Sequence, residues 1–298
     1  MRIRATAAAM ATLAGALGGT ALAMPAAQAA TPSAAGLHAP ATAFAQHTGA
    51  ASTSGTIRPA TATSLSGLTF TGLSINWNKP IRIGTYYAEN IAFHFYVKGT
   101  ASQLNGLYVG SGLFRGDTNN PVNFIGADGP NMTFTYVSST EFKVSGNYVV
   151  DPRSNLKSAL DSGNVWHTAM YATTDPNSST APYKETDTSA PYMERLTTLT
   201  ETASATTVKS GTNINLTGQL NVANWATHTY TAYGPKTVTV QYQKPGSSTW
   251  QTWKTISSTS TGSIATVVKP WTGKYRMTWA GNDAAAPQSS TPISVTAN

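Results

Sequence analysis

The chain holds 298 residues, with 19 Lys/Arg against 12 Asp/Glu, a formal net charge of +7 and only 10% charged residues. It contains no cysteine. That excludes disulfides, zinc–thiolate sites, iron–sulfur clusters and cysteine nucleophiles, so each folded part must be held by packing and needs a core of roughly a hundred residues behind it.

Residues 1–29 read as a secretory signal peptide. Arg2 and Arg4 give a basic start, an Ala- and Leu-rich run extends from Ala5 to Met24, Pro25 breaks it, and Ala27-Gln28-Ala29 sets small residues ahead of Ala30. A membrane anchor is the alternative, but the run is barely as long as a bilayer requires. The mature chain is expected to begin at or near Ala30 and to be secreted. ATP- and nicotinamide-driven chemistry would then be out of place.

Residues 30–63 read as a flexible linker. They are Ala, Thr, Ser, Pro and Gly with almost no large apolar side chain, so they cannot bury enough surface to offset their ordering entropy. His38 and His47 lie in it as solvated side chains.

From residue 64 to 197 the pattern is β. Leu68 and Phe70, then Ile75 and Trp77, flank turn-like glycines. Ile91 to Lys98 is the clearest strand, with Ile91, Phe93, Phe95 and Val97 on one face and His94 on the other. Further strands are expected over Gly106–Phe114, Met132–Val137, Glu141–Val150 and Val165–Ala172. Turn clusters separate them, among them Gly116 to Pro121 and Gly126 to Pro130. Ser154 to Leu160 breaks the pattern: Leu156 and Leu160 share a helical face, Ser154 can cap and Gly163 can terminate, so one helical turn is expected between sheets.

A second β set occupies 198–298. Ile214, Leu216, Gly218 and Leu220 alternate, as do Val238, Val240 and Tyr242, and Tyr275, Met277 and Trp279; Ile293 and Val295 close the chain. Strands at this spacing with polar turns indicate antiparallel sandwiches. Leu220 to Trp225, the turn Lys244 to Trp250, and Gly273 to Gly281 resemble an immunoglobulin-like module found in secreted actinobacterial proteins. Asp151 to Leu156 with Val165-Trp166 resembles a β-rich domain that often precedes it. The resemblance implies an all-β protein of two consecutive immunoglobulin-like antiparallel β-sandwiches after a signal peptide and a flexible linker. It brings no catalytic motif, although some members carry a generic calcium-binding label.

Candidate sites follow from side-chain chemistry. Calcium needs several oxygen ligands close together. Asp117, Asn119 and Asn120 with Asp128 are the leading set, and Asp175, Asn177, Glu185 and Asp187 a looser one. Neither has EF-hand spacing, and Asp and Asn are also ordinary turn residues. No other cofactor is implied. His94, His167 and His228 are too far apart in sequence to mark a zinc site. Gly110-Ser111-Gly112 lies within a strand and is no nucleophile elbow. Glu89, Glu141 and Glu194 are not marked as a catalytic pair.

The second domain has net charge +5, from seven Lys/Arg and two Asp/Glu after Thr197. Its lysines are spread along strands, where they solubilise and blunt edges, so nucleic acid is not expected as a partner. That domain is also rich in rings: Trp225, Trp250, Trp253, Trp271 and Trp279 with Tyr230, Tyr233, Tyr242 and Tyr275. They serve either as cross-strand ring pairs or, in part, as an exposed strip for sugars or a protein groove. Trp225, Tyr230 and Tyr233 fall outside the strand alternation and form the candidate ligand surface.

Three functional classes stay open. The leading one is a secreted, non-catalytic binding or adhesion protein acting at the cell wall, a polysaccharide or an extracellular protein partner. The others are a calcium-stabilised structural module, and a hydrolase or protease inhibitor acting through its loops.

Overall fold

The computed structural model describes residues 44–46 and 65–298, apart from 118, 119, 128, 130, 131, 157 and 178–182. The expected signal peptide and almost all of the expected linker lie outside these residues. So do Asn119 and Asp128 of the expected calcium set, and Asp117 and Asn120 are described in their backbone alone.

In chain order the first strands are β1 (Phe44–Gln46), β2 (Thr69–Ile75), β3 (Ile81–Ile83), β4 (Glu89–Lys98), β5 (Tyr108–Asp117), β6 (Asn120–Gly126), β7 (Thr133–Ser138), β8 (Glu141–Val150), β9 (His167–Thr173), β10 (Tyr183–Ser189) and β11 (Met193–Arg195). One antiparallel sheet runs β2-β4-β8-β7. A second runs β5-β9-β10, and β1 and β6 share the free edge of β5. Alternation drives the packing. Along β4, Ile91, Phe93, Phe95 and Val97 are buried, while Ala92, His94 and Tyr96 stand on the outer face. Opposite Phe93 in register is Gly146, and a Cβ there would come to 3.0 Å of the Phe93 ring and of Met132, so a side chain at this position would crowd the core.

Two polar contacts tie this first sandwich. Ser111 and Tyr148 meet at 2.6 Å across the two sheets, and the Ser111 hydroxyl donates to the Ala169 carbonyl. Burial raises the Tyr148 phenol far above its ordinary value. Asp161 is 3% exposed and pairs with Arg115 at 3.1 Å, while Asn123 donates to the same carboxylate. Among the described residues of 154–160 the expected helical turn does not form as such. Residues 152–155 form a turn, and a short 3-10 turn at Ala159–Asp161 is capped by Ser158 rather than Ser154. Leu156 is buried but Leu160 is 66% exposed, so the two leucines do not share a packed face.

The second part contributes β12 (Thr197–Ala203), β13 (Thr207–Val208), β14 (Ile214–Asn224), β15 (Thr229–Ala232), β16 (Thr237–Gln243), β17 (Gln251–Ser257), β18 (Ser263–Val268), β19 (Gly273–Trp279), β20 (Gln288–Ser289) and β21 (Ile293–Ala297). β14 pairs with β12, β15 and β18 in one sheet, and β13-β21-β19-β16-β17 form the other. This is the immunoglobulin-like arrangement, with the short β13 parallel to the last strand. Near the start of β19 the Tyr275 hydroxyl accepts from the Trp271 N–H and donates to its carbonyl, a tyrosine corner. Two residues on, the buried Met277 stands where disulfide-bonded relatives of the fold place a cysteine, so packing supplies the link between sheets.

The sandwiches meet without a free linker. β11 runs parallel to β3, and one residue later β12 starts. Leu196 donates from its backbone to Ile83, Arg195 to Ala284, and Ala286 to Arg195. Trp225 is 1% exposed, donates from its indole N–H to the Gly84 carbonyl at 2.9 Å, and packs with Ala223 in the core of the first sandwich. Among the described residues, no helix is long and apolar enough to cross a membrane.

Candidate functional site

A tryptophan on display marks the first sandwich. β2 ends at Ile75, which turns inward and is buried. Asn76, Trp77 and Asn78 then take φ values of 48°, 53° and 59°, three successive residues in the left-handed region. Asn tolerates this conformation, whereas a bulky side chain pays about 1–2 kcal/mol for it. The Asn76 side-chain amide holds the turn by donating to the carbonyls of Lys79 and Pro80. Trp77 projects at 72% exposure, so this strain is not repaid by burial of the ring. Strain kept where it brings no packing points toward function.

Beside Trp77 lies a hollow of about 350 Å³ on the outer face of β2-β4-β8-β7. Strand register builds its floor. Ser74 stands opposite His94, His94 opposite Ser145, Ala92 opposite Asn147, and Thr133 opposite Ser145. Phe93 and Gly146 also line it between these outward-facing residues. A bulge in β2 brings the strand in near Gly72 (φ 63°), where a Cβ would collide with the Tyr96 ring at 2.8 Å.

The lining side chains are uncharged, His94 included. Burial, and then the charge of Lys143, lower the His94 pKa, so its imidazole is neutral at pH 7 and offers one donor and one acceptor. Lower on the same face Lys98 and Glu141 neutralise each other at 3.4 Å. A second hollow of about 350 Å³, lined by Lys79, Arg82, Glu89 and Asn90, flanks the other side of the Trp77 turn. The Trp77 turn thus borders a neutral and a charged depression, with Trp77 itself on the neutral one.

The residues expected from sequence are placed differently. Trp225 is an interior anchor of the seam between sandwiches, and its burial overturns the expectation of an exposed Trp225 surface. Tyr230 is 39% exposed, with its hydroxyl near Gly84, and desolvation raises its pKa. Tyr233 is half-buried edge-on to Trp279, with Lys236 4.4 Å from its ring centre and Arg195 5.6 Å. Trp225 and Tyr230 thus both meet Gly84 at the seam while Tyr233 packs on Trp279, and the three do not form one exposed strip.

Most of the surplus rings of the second sandwich pack on one another. Tyr242, Trp253, Trp271 and Tyr275 form a cluster with centroid spacings of 4.8 to 5.8 Å. Ser111 is fully buried and engaged in hydrogen bonds, which removes it as a surface nucleophile. Among the described residues no three His, Asp or Glu side chains gather as a metal site. The exposure of Trp77 was not legible from strand alternation. The signal available was its flanking asparagines, which favour a left-handed turn that lifts a side chain off the sheet.

No protein-family model matches the chain, and no curated protein matches it significantly. Solved structures similar to it include a marsupial T cell receptor (10% identity, TM-score 0.38, covering 76% of this chain and 72% of that one). Murine CEACAM1b is similar at 13% identity and TM-score 0.32, over 77% of this chain and all (100%) of that one. The Escherichia coli adhesin FdeC is similar at 12% identity and TM-score 0.30, over 77% of this chain and 66% of that one.

Proposed function

We propose that the protein is an extracellular, non-catalytic binding protein whose first sandwich holds a neutral polysaccharide against Trp77. One observation carries this reading: an indole 72% exposed, held in a strained left-handed turn at the rim of an uncharged polar hollow. Sugars present flat C–H faces and a ring of hydroxyls. The indole suits the face, and Ser74, His94, Ser145 and Asn147 suit the hydroxyls as neutral donors and acceptors. The hollow is open and shallow, which fits a segment of a long chain better than a small molecule enclosed on all sides.

Co-sedimentation of the purified chain with insoluble neutral polysaccharides and with cell walls tests the proposal, with Trp77→Ala beside it. The expected result is retention of the parent chain and loss of the variant. Equal retention of both, or retention of neither on any neutral glycan, overturns it.

A further inference from the structure

The lysines of the second sandwich, scattered in sequence, come together at one end of the fold. β14 begins there, with Ile214 opposite Val268 of β18. β16 ends there, with Gln243 opposite Lys274 of β19. β13 and the end of β21 meet there as well, Val208 beside Ala297. The turns leaving these strands carry Lys209, Lys244 and Lys269, and Lys274 opens β19; all four are exposed.

Lys269 lies against the turn that follows Lys209, since a Cβ on Gly211 would be 3.5 Å from its Cε. Lys244 and Lys274 line one hollow of about 280 Å³, whose floor includes Gly246, Thr272 and Gly273. Seam residues such as Trp225 and Ala284 follow the opposite ends of β14 and β19, so this basic end points away from the first sandwich.

Among the described residues no carboxylate side chain pairs with these lysines. The only acidic residues after Thr197 are Glu201 and Asp283. Glu201 is turned inward onto Ser290 and the Met277 N–H, and Asp283 adjoins Ala284 in the seam. None of the four lysines forms an ion pair among the described residues.

Trp271, in the turn between Lys269 and Lys274, is 62% exposed. Its ring is braced edge-on by Trp253 at 4.8 Å, and its backbone is fixed on both sides by the Tyr275 hydroxyl. A cation cluster with no acidic side chain beside it, and with a rigid exposed ring in the turn that joins two of its lysines, raises the local concentration of polyanions and releases their counterions on contact.

We infer that this end is a binding site for a polymeric phosphodiester, with a polyol-phosphate chain as its occupant. The lysines take the phosphates as point charges, and Trp271 covers the apolar edge of the polyol between them. A nucleic acid would offer the same phosphates, but the site shows one exposed ring rather than a row of stacking platforms along a groove. The site is independent of Trp77. If both hold, one chain joins a neutral glycan to an anionic polymer.

The test uses the full chain with poly(glycerol phosphate), single-stranded DNA of matched charge and neutral dextran as probes, read by titration at several salt concentrations. Binding to poly(glycerol phosphate) is expected to weaken steeply with salt. Replacing Lys209, Lys244, Lys269 and Lys274 together by Gln should lower affinity at least tenfold, and Trp271→Ala severalfold, while Lys254→Gln leaves it unchanged. Thermal melts confirm that each variant is folded. The inference is overturned by absence of binding at low salt, by an undiminished quadruple variant, or by DNA binding as tightly as the polyol phosphate. Trp77→Ala should not alter this binding, which keeps the two sites separately testable.

Discussion

Trp225 and Trp77 are handled in opposite ways, and the contrast separates what holds this protein together from what it shows to the outside. Trp225 reaches out of the second sandwich, buries its whole ring in the first and satisfies its N–H on Gly84. Its turn needs no unusual backbone at position 225 itself. Trp77 sits in a backbone conformation that costs energy and leaves its ring in solvent. A ring that stabilises the fold is paid for by burial; one kept exposed at a cost points to an external partner.

The largest effect that would sharpen this comparison is Trp225→Ala. Loss of a fully buried ring should lower stability by about 3–5 kcal/mol in chemical denaturation, and would also loosen the seam. A loss below about 1 kcal/mol would remove Trp225 from the load of the fold. Next comes Asp161→Ala, which leaves the largely buried Arg115 without its carboxylate partner; a loss of about 3 kcal/mol is expected from the same measurement.

Trp77 variants should separate binding from stability. Trp77→Ala is expected to weaken glycan binding about tenfold, or roughly 1.4 kcal/mol, with the melt unchanged. Trp77→Gly relieves the left-handed strain, so stability should hold or rise by up to about 1 kcal/mol while binding is lost. A fall in stability with either variant would make Trp77 a structural residue and break the contrast.

The smallest expected effect concerns Glu201 and pH. Burial raises its pKa, against the opposing hydrogen bonds from Ser290 and the Met277 N–H. A carboxyl with a raised folded-state pKa stabilises most fully below its unfolded pKa, and that contribution is lost as pH rises through the folded value. The melting temperature should therefore decline as pH rises through this titration, and Glu201→Gln should flatten the decline. An identical pH profile in the variant would show that Glu201 carries none of it.

Much of the fold was legible from alternation. β4 and β16 run close to where the alternation from Ile91 and from Val238 places them, and β8 covers the expected run Glu141–Val150, because a half-buried strand writes its two faces into neighbouring residues. Short strands that pair across the seam were not legible. β3 and β11 have three residues each, too few to show a period, and are fixed by each other and by backbone bonds to Leu196 and Ala284. β15 falls where Trp225, Tyr230 and Tyr233 showed no strand alternation, since polar Thr229 and Thr231 hide a strand that merely covers the edge of β14.

By itself the sequence determined an all-β chain, held by packing without cysteine and rich in rings, because those properties are carried by composition and by residues adjacent in the chain. Only the tertiary structure decided which rings are inside. Trp225 is buried by a carbonyl 141 positions away, and Trp77 is exposed by a local turn whose consequence depends on the sheet beside it. The four distal lysines look dispersed along the chain and converge only because strand pairing returns their turns to one end. Burial and electrostatic potential are sums over neighbours in space, and spatial neighbours are set by pairings that no single stretch of sequence contains.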